Sequence, residues 1–371
     1  MFRKTVLAAA AAAAFVAGAV PGAVRAETSL TYGSSLPAPH VIHEKALAPF
    51  FERVAEDTGG ALRWELIPGG TMGSVKEAVQ TVEDGIVDSG LVLDIYTRQE
   101  LPVTSMFADM IALPDDFIVF AAAANEMQLV ACEACRTERA DKGLVSLAYY
   151  APDPYLLMCA DDTRGYDDLQ NKKTRASGRM GVLVETFGAT TVTIPSSEVY
   201  EALQRGQASC SVASAAWLES YNLSDVVTNI IDLPMGSYFN AGLLYMNKAT
   251  FDGLPEDHKA AIRGNLAKLV ADALFAYRTQ SGAALAEAQR KGVALVEPDQ
   301  KLTEALAEFR DGEIANTVAT AEEAGLDGAA ERVETFMALV GKWRGIVAET
   351  GDDEAAFADA LDREIFSRAE F

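Results

Sequence analysis

Between Asp168 and Trp217 the chain alternates short strands with helical segments, a pattern that leaves few folds open. One strand carries Lys172, Lys173, Thr174 and Arg175, and a helical turn follows it. Thr191 to Ile194 reads as a second strand, a helix capped by Ser197 runs to Arg205 and stops at Gly206, and Ala208 to Ala213 reads as a third strand. A βαβαβ unit of this kind builds a parallel sheet whose ligands sit at the carboxyl ends of the strands. Arg175 would emerge at such an end.

The chain before this unit repeats the alternation. A strand Leu30 to Gly33, a turn from Ser34 to Pro39 and a helix from His40 to Asp57 lead to a strand Leu62 to Ile67. The loop Pro68 to Gly73, a helix Ser74 to Glu83 and a strand Ser89 to Leu93 complete a second sheet unit. Two of its loops deliver backbone N–H groups at helix starts, which suits a carboxylate. The first lacks a GxGxxG pattern and the second a Lys-Ser or Lys-Thr pair, so neither reads as a nucleotide cradle. Asp115 and Asp116 cap a helix from Phe117 to about Lys142, and the strand Leu144 to Tyr149 follows. From Leu254 the chain turns rich in Ala, Leu, Glu, Lys and Arg, and the spacing of Ile262, Leu266, Leu269, Val270, Ala273 and Leu274 predicts a long helix from Glu256 to about Lys291. A strand Val293 to Val296 and further helices after Pro298 end the chain.

The first residues carry Arg3 and Lys4, an apolar run from Val6 to Val20, and Val24-Arg25-Ala26 before Glu27. That is the form of a secretory signal cleaved after Ala26, with an apolar run shorter than the ~20 residues of a spanning helix. The mature protein is expected in the periplasm, without stable membrane insertion. The formal charge of −23 becomes −26 once Arg3, Lys4 and Arg25 leave with no acid. Such a surface disfavours nucleic acid, and any bound anion needs a local cationic constellation.

The four cysteines lie in an exported chain, so one or two disulfides are expected. Cys132 and Cys135 fall late in a predicted helix, where Cβ atoms three apart stand roughly 5 to 6 Å apart against about 3.8 Å in a disulfide. That pairing needs a distorted turn; Cys159 and Cys210, on predicted strands, are the alternative partners.

Asp168-Leu169, Lys173-Thr174-Arg175, Gly188-Ala189, Ser197-Glu198-Val199-Tyr200-Glu201-Ala202-Leu203 and Gly206 together resemble the second-domain signature of the solute-binding proteins of TRAP transporters, the DctP-like family. Thr58-Gly59-Gly60, Gly69-Gly70-Thr71-Met72-Gly73 and Leu254-Pro255 extend the resemblance. It implies an α/β, two-domain periplasmic-binding-protein-like fold with hinge strands and a long bracing C-terminal helix. Residues 27–151 with about 240–371 would form domain I, and 152–239 domain II. Ala151 to Tyr155, stiffened by Pro152 and Pro154, is the expected first crossing.

The resemblance also implies a role for Arg175, which would pair with the carboxylate of a small organic acid, as the planar fork of a guanidinium does. Ser214 and Trp217 lie where the family presents side chains to the ligand. Trp217 is large enough to lie over a solute or to plug the core. Tyr96, Tyr149, Tyr155, Tyr238 and Asn240 sit near predicted hinge or loop positions, and Ser35 and His40 near the turn after the first strand. The chain departs from the family pattern at Tyr155, where some members place a second arginine, and at Ser196, Ser209, Cys210 and Ala213. A monocarboxylate with an apolar or hydroxylated remainder fits this set at least as well as a dicarboxylate.

The resulting expectation is a receptor that needs no cofactor, metal or chemical step and delivers its acid to the small and large TRAP membrane subunits. The alternatives are an enzyme using His40 and His43 as metal ligands or Cys132 and Cys135 as a redox pair, and a binding partner of a sensor kinase.

Overall fold

The computed structural model describes Met1 and residues 27–371, so the expected signal segment lies outside the described residues. Its strands are β1 (Thr28–Gly33), β2 (Leu62–Ile67), β3 (Ser89–Val92), β4 (Leu144–Tyr150), β5 (Leu156–Cys159), β6 (Lys173–Arg175), β7 (Thr190–Val192), β8 (Cys210–Ala213), β9 (Asn229–Ile231), β10 (Ala241–Asn247) and β11 (Ala294–Val296). They make two sheets, ordered β2-β1-β3-β10-β4 and β11-β9-β5-β8-β6-β7. This is the two-domain α/β architecture expected from the sequence. The predicted βαβαβ unit is present, with β6 parallel to both β7 and β8.

The chain leaves the first sheet between Tyr150 and Leu156 and returns between Ile231 and Ala241. The crossings are tied to each other by Tyr155 N to Gly236 O (2.7 Å) and Met235 N to Tyr155 O (2.9 Å). Gly236 has φ 101°, and a Cβ there would stand 2.2 Å from the Ile111 carbonyl, so the crossing admits glycine alone. One expectation fails. β11 pairs in parallel with β9, so residues 294–296 belong to the second sheet although the whole of about 240–371 was assigned to the first domain. Without β11, β9 would be left as a bare sheet edge.

The principal helices are α1 (Ala48–Asp57), α2 (Phe117–Glu126), α3 (Glu133–Asp141), α4 (Arg179–Thr186), α5 (Glu256–Gly264), α6 (Leu266–Arg290), α7 (Gln300–Glu323), α8 (Ala329–Thr350) and α9 (Glu354–Leu361). Three depart instructively from the predicted spans. A π-helical turn, His43–Leu47, precedes α1 because Pro49 has no N–H and its ring crowds the carbonyl four residues back; Ala48 N reaches His43 O instead. The long helix is interrupted at Asn265, whose amide turns out to Asp57 (2.8 Å) and accepts from Arg53 (3.1 Å). Even so, α6 packs on the π-helical turn, on β4 and on the short helix Trp217–Ser220 of the second lobe. It therefore braces both.

The third departure is at Cys132. The helix from Phe117 stops there, Cys132 adopts an extended conformation and caps α3. That break brings Cys132 and Cys135 into a disulfide (Cα–Cα 5.3 Å), while Cys159 and Cys210, opposite each other on antiparallel β5 and β8, form another. The distorted turn is real, and both pairings occur.

Among the described residues no single helix is long and apolar enough to cross a membrane, and α2 is buried throughout. Its last residue, Glu126, takes Lys342 (2.8 Å), Trp343 Nε1 (2.7 Å) and Arg368 (3.3 Å), fastening the C-terminal helices to the first lobe.

Closing a chain loop of 51 residues removes far more denatured-state entropy than closing one of 3. Replacing both Cys159 and Cys210 with alanine is therefore expected to lower unfolding stability by about 4 kcal/mol, and Cys132 with Cys135 by under about 2 kcal/mol. Denaturant titration of the two double variants measures the difference.

Candidate ligand-binding site

Arg175 is the last residue of β6, where the strand's carboxyl end opens between the two lobes. Its side chain is 3% exposed. Four N–H groups are engaged, by Ile194 O (2.7 Å), Val212 O (3.3 Å), Ser177 Oγ (3.0 Å) and Tyr96 Oη (3.1 Å). All four acceptors are neutral. Among the described residues no carboxylate lies in ion-pair reach of this guanidinium, and Trp217 provides a ring face at 5.9 Å. Burial of a cation without a countercharge costs several kcal/mol, and this one stands at the wall of a cavity.

The cavity beside it holds about 570 Å³ of empty space, counting its open mouth. The second lobe contributes Arg175, Ser177, Met180, Ser196, Val212 and Trp217, and the first lobe and crossings add Leu36, His40, Ile95, Tyr96, Tyr150, Tyr155 and Tyr238. Tyr277 enters from α6. The lining aromatics belong to a chain of ring contacts in which Tyr221 alone is not part of the lining: Tyr155 to Trp217 at 5.8 Å, Trp217 to Tyr221 at 5.0 Å, Tyr221 to His40 at 5.9 Å, His40 to Tyr277 at 5.8 Å and Tyr277 to Tyr150 at 5.9 Å. The indole N–H of Trp217 is buried with no hydrogen-bond partner. The lobes touch across the cavity, since Tyr96 reaches Ser177 (3.1 Å) as well as Arg175, and Gly178, at φ 53°, lets Ile95 approach to where a Cβ would be 2.8 Å away.

Burial pushes the hydroxyls of Tyr150, Tyr155 and Tyr277 well above the ordinary phenol range, and burial with the neighbouring His43 holds His40 well below an ordinary imidazole. Arg175 is thus the lining residue that carries a formal charge at neutral pH. A single positive charge in a neutral aromatic box can bind one carboxylate, bidentately once the hydroxyls of Ser177 and Tyr96 yield the outer nitrogen, and hold an apolar body against the rings.

Of the residues singled out from the sequence, Arg175, Trp217, Tyr155, Tyr96, Tyr238 and His40 come together on this cavity. Ser214, Asn240 and Ser35 do not. Ser214 is fully buried beneath it, bonded to Asp153 and to Ala216 N (3.2 Å), so it pins the crossing to the helix that carries Trp217. Asn240 is consumed by Asp94, Thr104 O (3.0 Å) and Gln128 (3.1 Å). Ser35 lines a separate shallow cleft with Gly70 and Gly73. Tyr149 turns away to Tyr245 (2.7 Å), and its strand neighbour Tyr150 takes the cavity face. The sequence reading missed Tyr150, Tyr277 and Ser177. Ser177 was the findable one, two residues past the strand end; Tyr277 lies mid-helix with no local signal.

His40 and His43 do not share a site. His43 bonds Ala38 O (3.3 Å) and Ser34 Oγ (2.8 Å), while His40 accepts from Ile42 N (3.3 Å) and meets Tyr277 Oη (3.2 Å).

The model of the bacterial extracellular solute-binding protein family 7, DctP, matches residues 32–318. The chain belongs to that family. A solute-binding protein of Albidiferax ferrireducens is 24% identical over 258 residues, 68% of this chain and 75% of the relative. Among solved structures, a marine metagenome TRAP solute-binding protein specific for aromatic acid ligands, in complex with metahydroxyphenylacetate, superposes with a TM-score of 0.74 at 24% identity, covering 85% of this chain and 99% of that one. A TRAP periplasmic solute-binding protein of Bordetella bronchiseptica with bound (R)- and (S)-mandelate gives 0.70 at 24% identity, with the same coverages. For this family-7 chain the likeness to those structures establishes the fold, including the long C-terminal helices.

His40 also sets a pH dependence. Its folded-state pKa lies below the unfolded value of about 6.5, so in the window between them the unfolded chain binds the extra proton and stability falls as pH drops. Gln keeps a nitrogen donor near the imidazole Nε2 position and does not titrate. From pH 7 to pH 5.5 the wild type is expected to lose more melting temperature than His40→Gln, measured by calorimetric scans at each pH.

Proposed function

We propose that this chain is an extracytoplasmic receptor for a small monocarboxylate with a compact, largely aromatic or apolar body, bound between the lobes and passed to TRAP membrane subunits. The observation that carries the reading is Arg175: a buried guanidinium with neutral partners in a cavity whose other walls are uncharged. One cation calls for one carboxylate, and a second carboxylate would be desolvated without a partner. The aromatic walls favour a ring or an apolar chain of similar width.

Family membership supports the receptor role and an extracytoplasmic place. The periplasm and cleavage after Ala26 fit the signal pattern of residues 1–26. Mandelate and metahydroxyphenylacetate, bound by the two structural neighbours, are monocarboxylates on an aromatic ring, the chemistry that this cavity would accept. Delivery to the small and large membrane subunits would use the crossings as a hinge, with the liganded, closed form as the species recognised. Binding and hinge closure need no bond to be made or broken. The redox alternative is disfavoured by burial: the Cys132–Cys135 disulfide lies inside the first lobe, with both residues buried.

Thermal-shift screening of residues 27–371 against a library of organic acids tests this. A ligand at 100 times its Kd adds about 2.7 kcal/mol of stability, a visible shift. The expected result is that aromatic monocarboxylates stabilise the protein and that Arg175→Ala weakens a hit at least about 100-fold by calorimetry, the loss of two charge-assisted hydrogen bonds. Binding that survives the substitution unchanged rejects the reading.

A further inference from the structure

The wall facing the first lobe has a polar feature that a carboxylate anchor leaves unexplained. His40 and Tyr277 are both buried, and both line the cavity. His40 Nδ1 accepts the Ile42 backbone N–H at 3.3 Å, so in the neutral ring the hydrogen sits on Nε2. That Nε2–H faces Tyr277 Oη at 3.2 Å and donates to it. The phenol oxygen is thus occupied by an incoming donor, and its own hydrogen is turned away from His40 towards the hydroxyl of Tyr150, which it engages and whose ring stacks on it at 5.9 Å. A plain core tyrosine needs no such arrangement. Here a buried histidine, held neutral, gives the paired hydroxyls of Tyr277 and Tyr150 a fixed direction, from His40 through Tyr277 to Tyr150, so that the pair ends in a donor on the cavity wall. The buried, unpartnered indole N–H of Trp217 adds a second donor to the same lining.

Hydrogen-bond donors without acceptors are costly inside a protein, and a ligand that supplies the acceptor recovers that cost. No cation stands on this wall, so a second carboxylate would find donors without a countercharge, whereas a neutral oxygen finds what it needs. We propose that Tyr277, oriented by His40 and acting through the hydroxyl of Tyr150, is a specificity-determining residue that selects acids carrying a neutral hydrogen-bond acceptor, a hydroxyl or carbonyl oxygen, on the part of the molecule away from the carboxylate. The inference rests on the reading of the cavity as a monocarboxylate site.

A site built to hydrogen-bond a substrate oxygen rejects the analogue lacking it, because its own polar groups are then left unpaired. The test is calorimetric titration with benzoate, its 3- and 4-hydroxy derivatives, phenylacetate, 3-hydroxyphenylacetate and isophthalate, on wild type, Tyr277→Phe, His40→Leu, His40→Gln and Arg175→Ala. In the wild type the best hydroxylated acid is expected to bind about tenfold tighter than its parent and than isophthalate, the worth of one buried hydrogen bond. Tyr277→Phe should bring that ratio to about one by weakening the hydroxylated acid, with a cooperative thermal unfolding transition showing that the variant is folded. His40→Leu should lower the ratio and His40→Gln should preserve it, because Gln restores a donor to the phenol oxygen.

A hydroxyl preference untouched by Tyr277→Phe, equal binding of parent and hydroxylated acids, or isophthalate binding as tightly as the best hydroxy acid overturns the proposal. In those cases dependence on Arg175 would persist and the monocarboxylate reading would stand. If no acid binds, or binding ignores Arg175→Ala, both fall together.

Discussion

A guanidinium held away from water with only neutral oxygens around it is a costly feature at the mouth of the cleft, and much of the surrounding structure serves to hold it there. Two carbonyls from the second sheet's own loops and strands, those of Ile194 and Val212, fix the Arg175 side chain along the sheet end, while Ser177 and Tyr96 face its outer nitrogen. These contacts satisfy hydrogens and leave the charge uncompensated. In a chain with 54 acidic residues a stabilising carboxylate would be easy to supply, yet none stands in ion-pair reach among the described residues. Leaving the charge open lowers the stability of the empty protein and stores it as affinity, the exchange expected of a binding site.

The elements around Arg175 come from all parts of the chain, which explains why two crossings and a bracing helix are needed. The residues just after it, Ser177 to Arg179, meet the first lobe at Ile95 and Tyr96, and Arg179 continues the contact through Glu313 of α7 (2.7 Å) with its guanidinium over Phe309 at 4.8 Å. Arg310, on the same helix, holds Ala112 O (2.7 Å) and Pro234 O (2.8 Å), one from each side of the second crossing. Helix α7 therefore touches both lobes and the hinge. Breaking the buried Arg179–Glu313 pair would strand a charge, so the pair resists opening more than a surface bridge would.

The layers and the place of Arg175 at a strand end on the cavity were legible because they rest on local signals. The alternation between Asp168 and Trp217 gave the parallel unit, and β2 was placed to the residue. What the sequence concealed depended on contacts distant along the chain. Tyr149 and Tyr150 are adjacent, and strand pleating sends one into the core and the other to the cavity, a choice set by how β4 sits between β10 and α6. The Cys132 break interrupts an apolar run whose periodicity gives no warning of it. Ser214 and Asn240 lie in the expected places along the chain, but their partners Asp153 and Asp94 are brought in by tertiary packing. A one-dimensional pattern locates a strand end and leaves open which of its side chains are already spoken for.

The strongly acidic surface poses a last physical problem, since an organic anion must approach a chain of net charge −23. At physiological salt the Debye length is about 8 Å, so most of that field is screened before the ligand reaches the cleft. Inside, the dielectric is lower and the nearest charge dominates. The neutral aromatic lining matters here: with His40 and the lining tyrosines uncharged, no acid on the wall competes with the ligand for Arg175. On the proposed reading, repulsion from the surface would slow encounter, while the affinity, once the lobes close, would be decided by one guanidinium and the shape of the rings around it. A chain can be acidic throughout and still be suited to capture an acid, provided the guanidinium in its cleft is left without a carboxylate of its own.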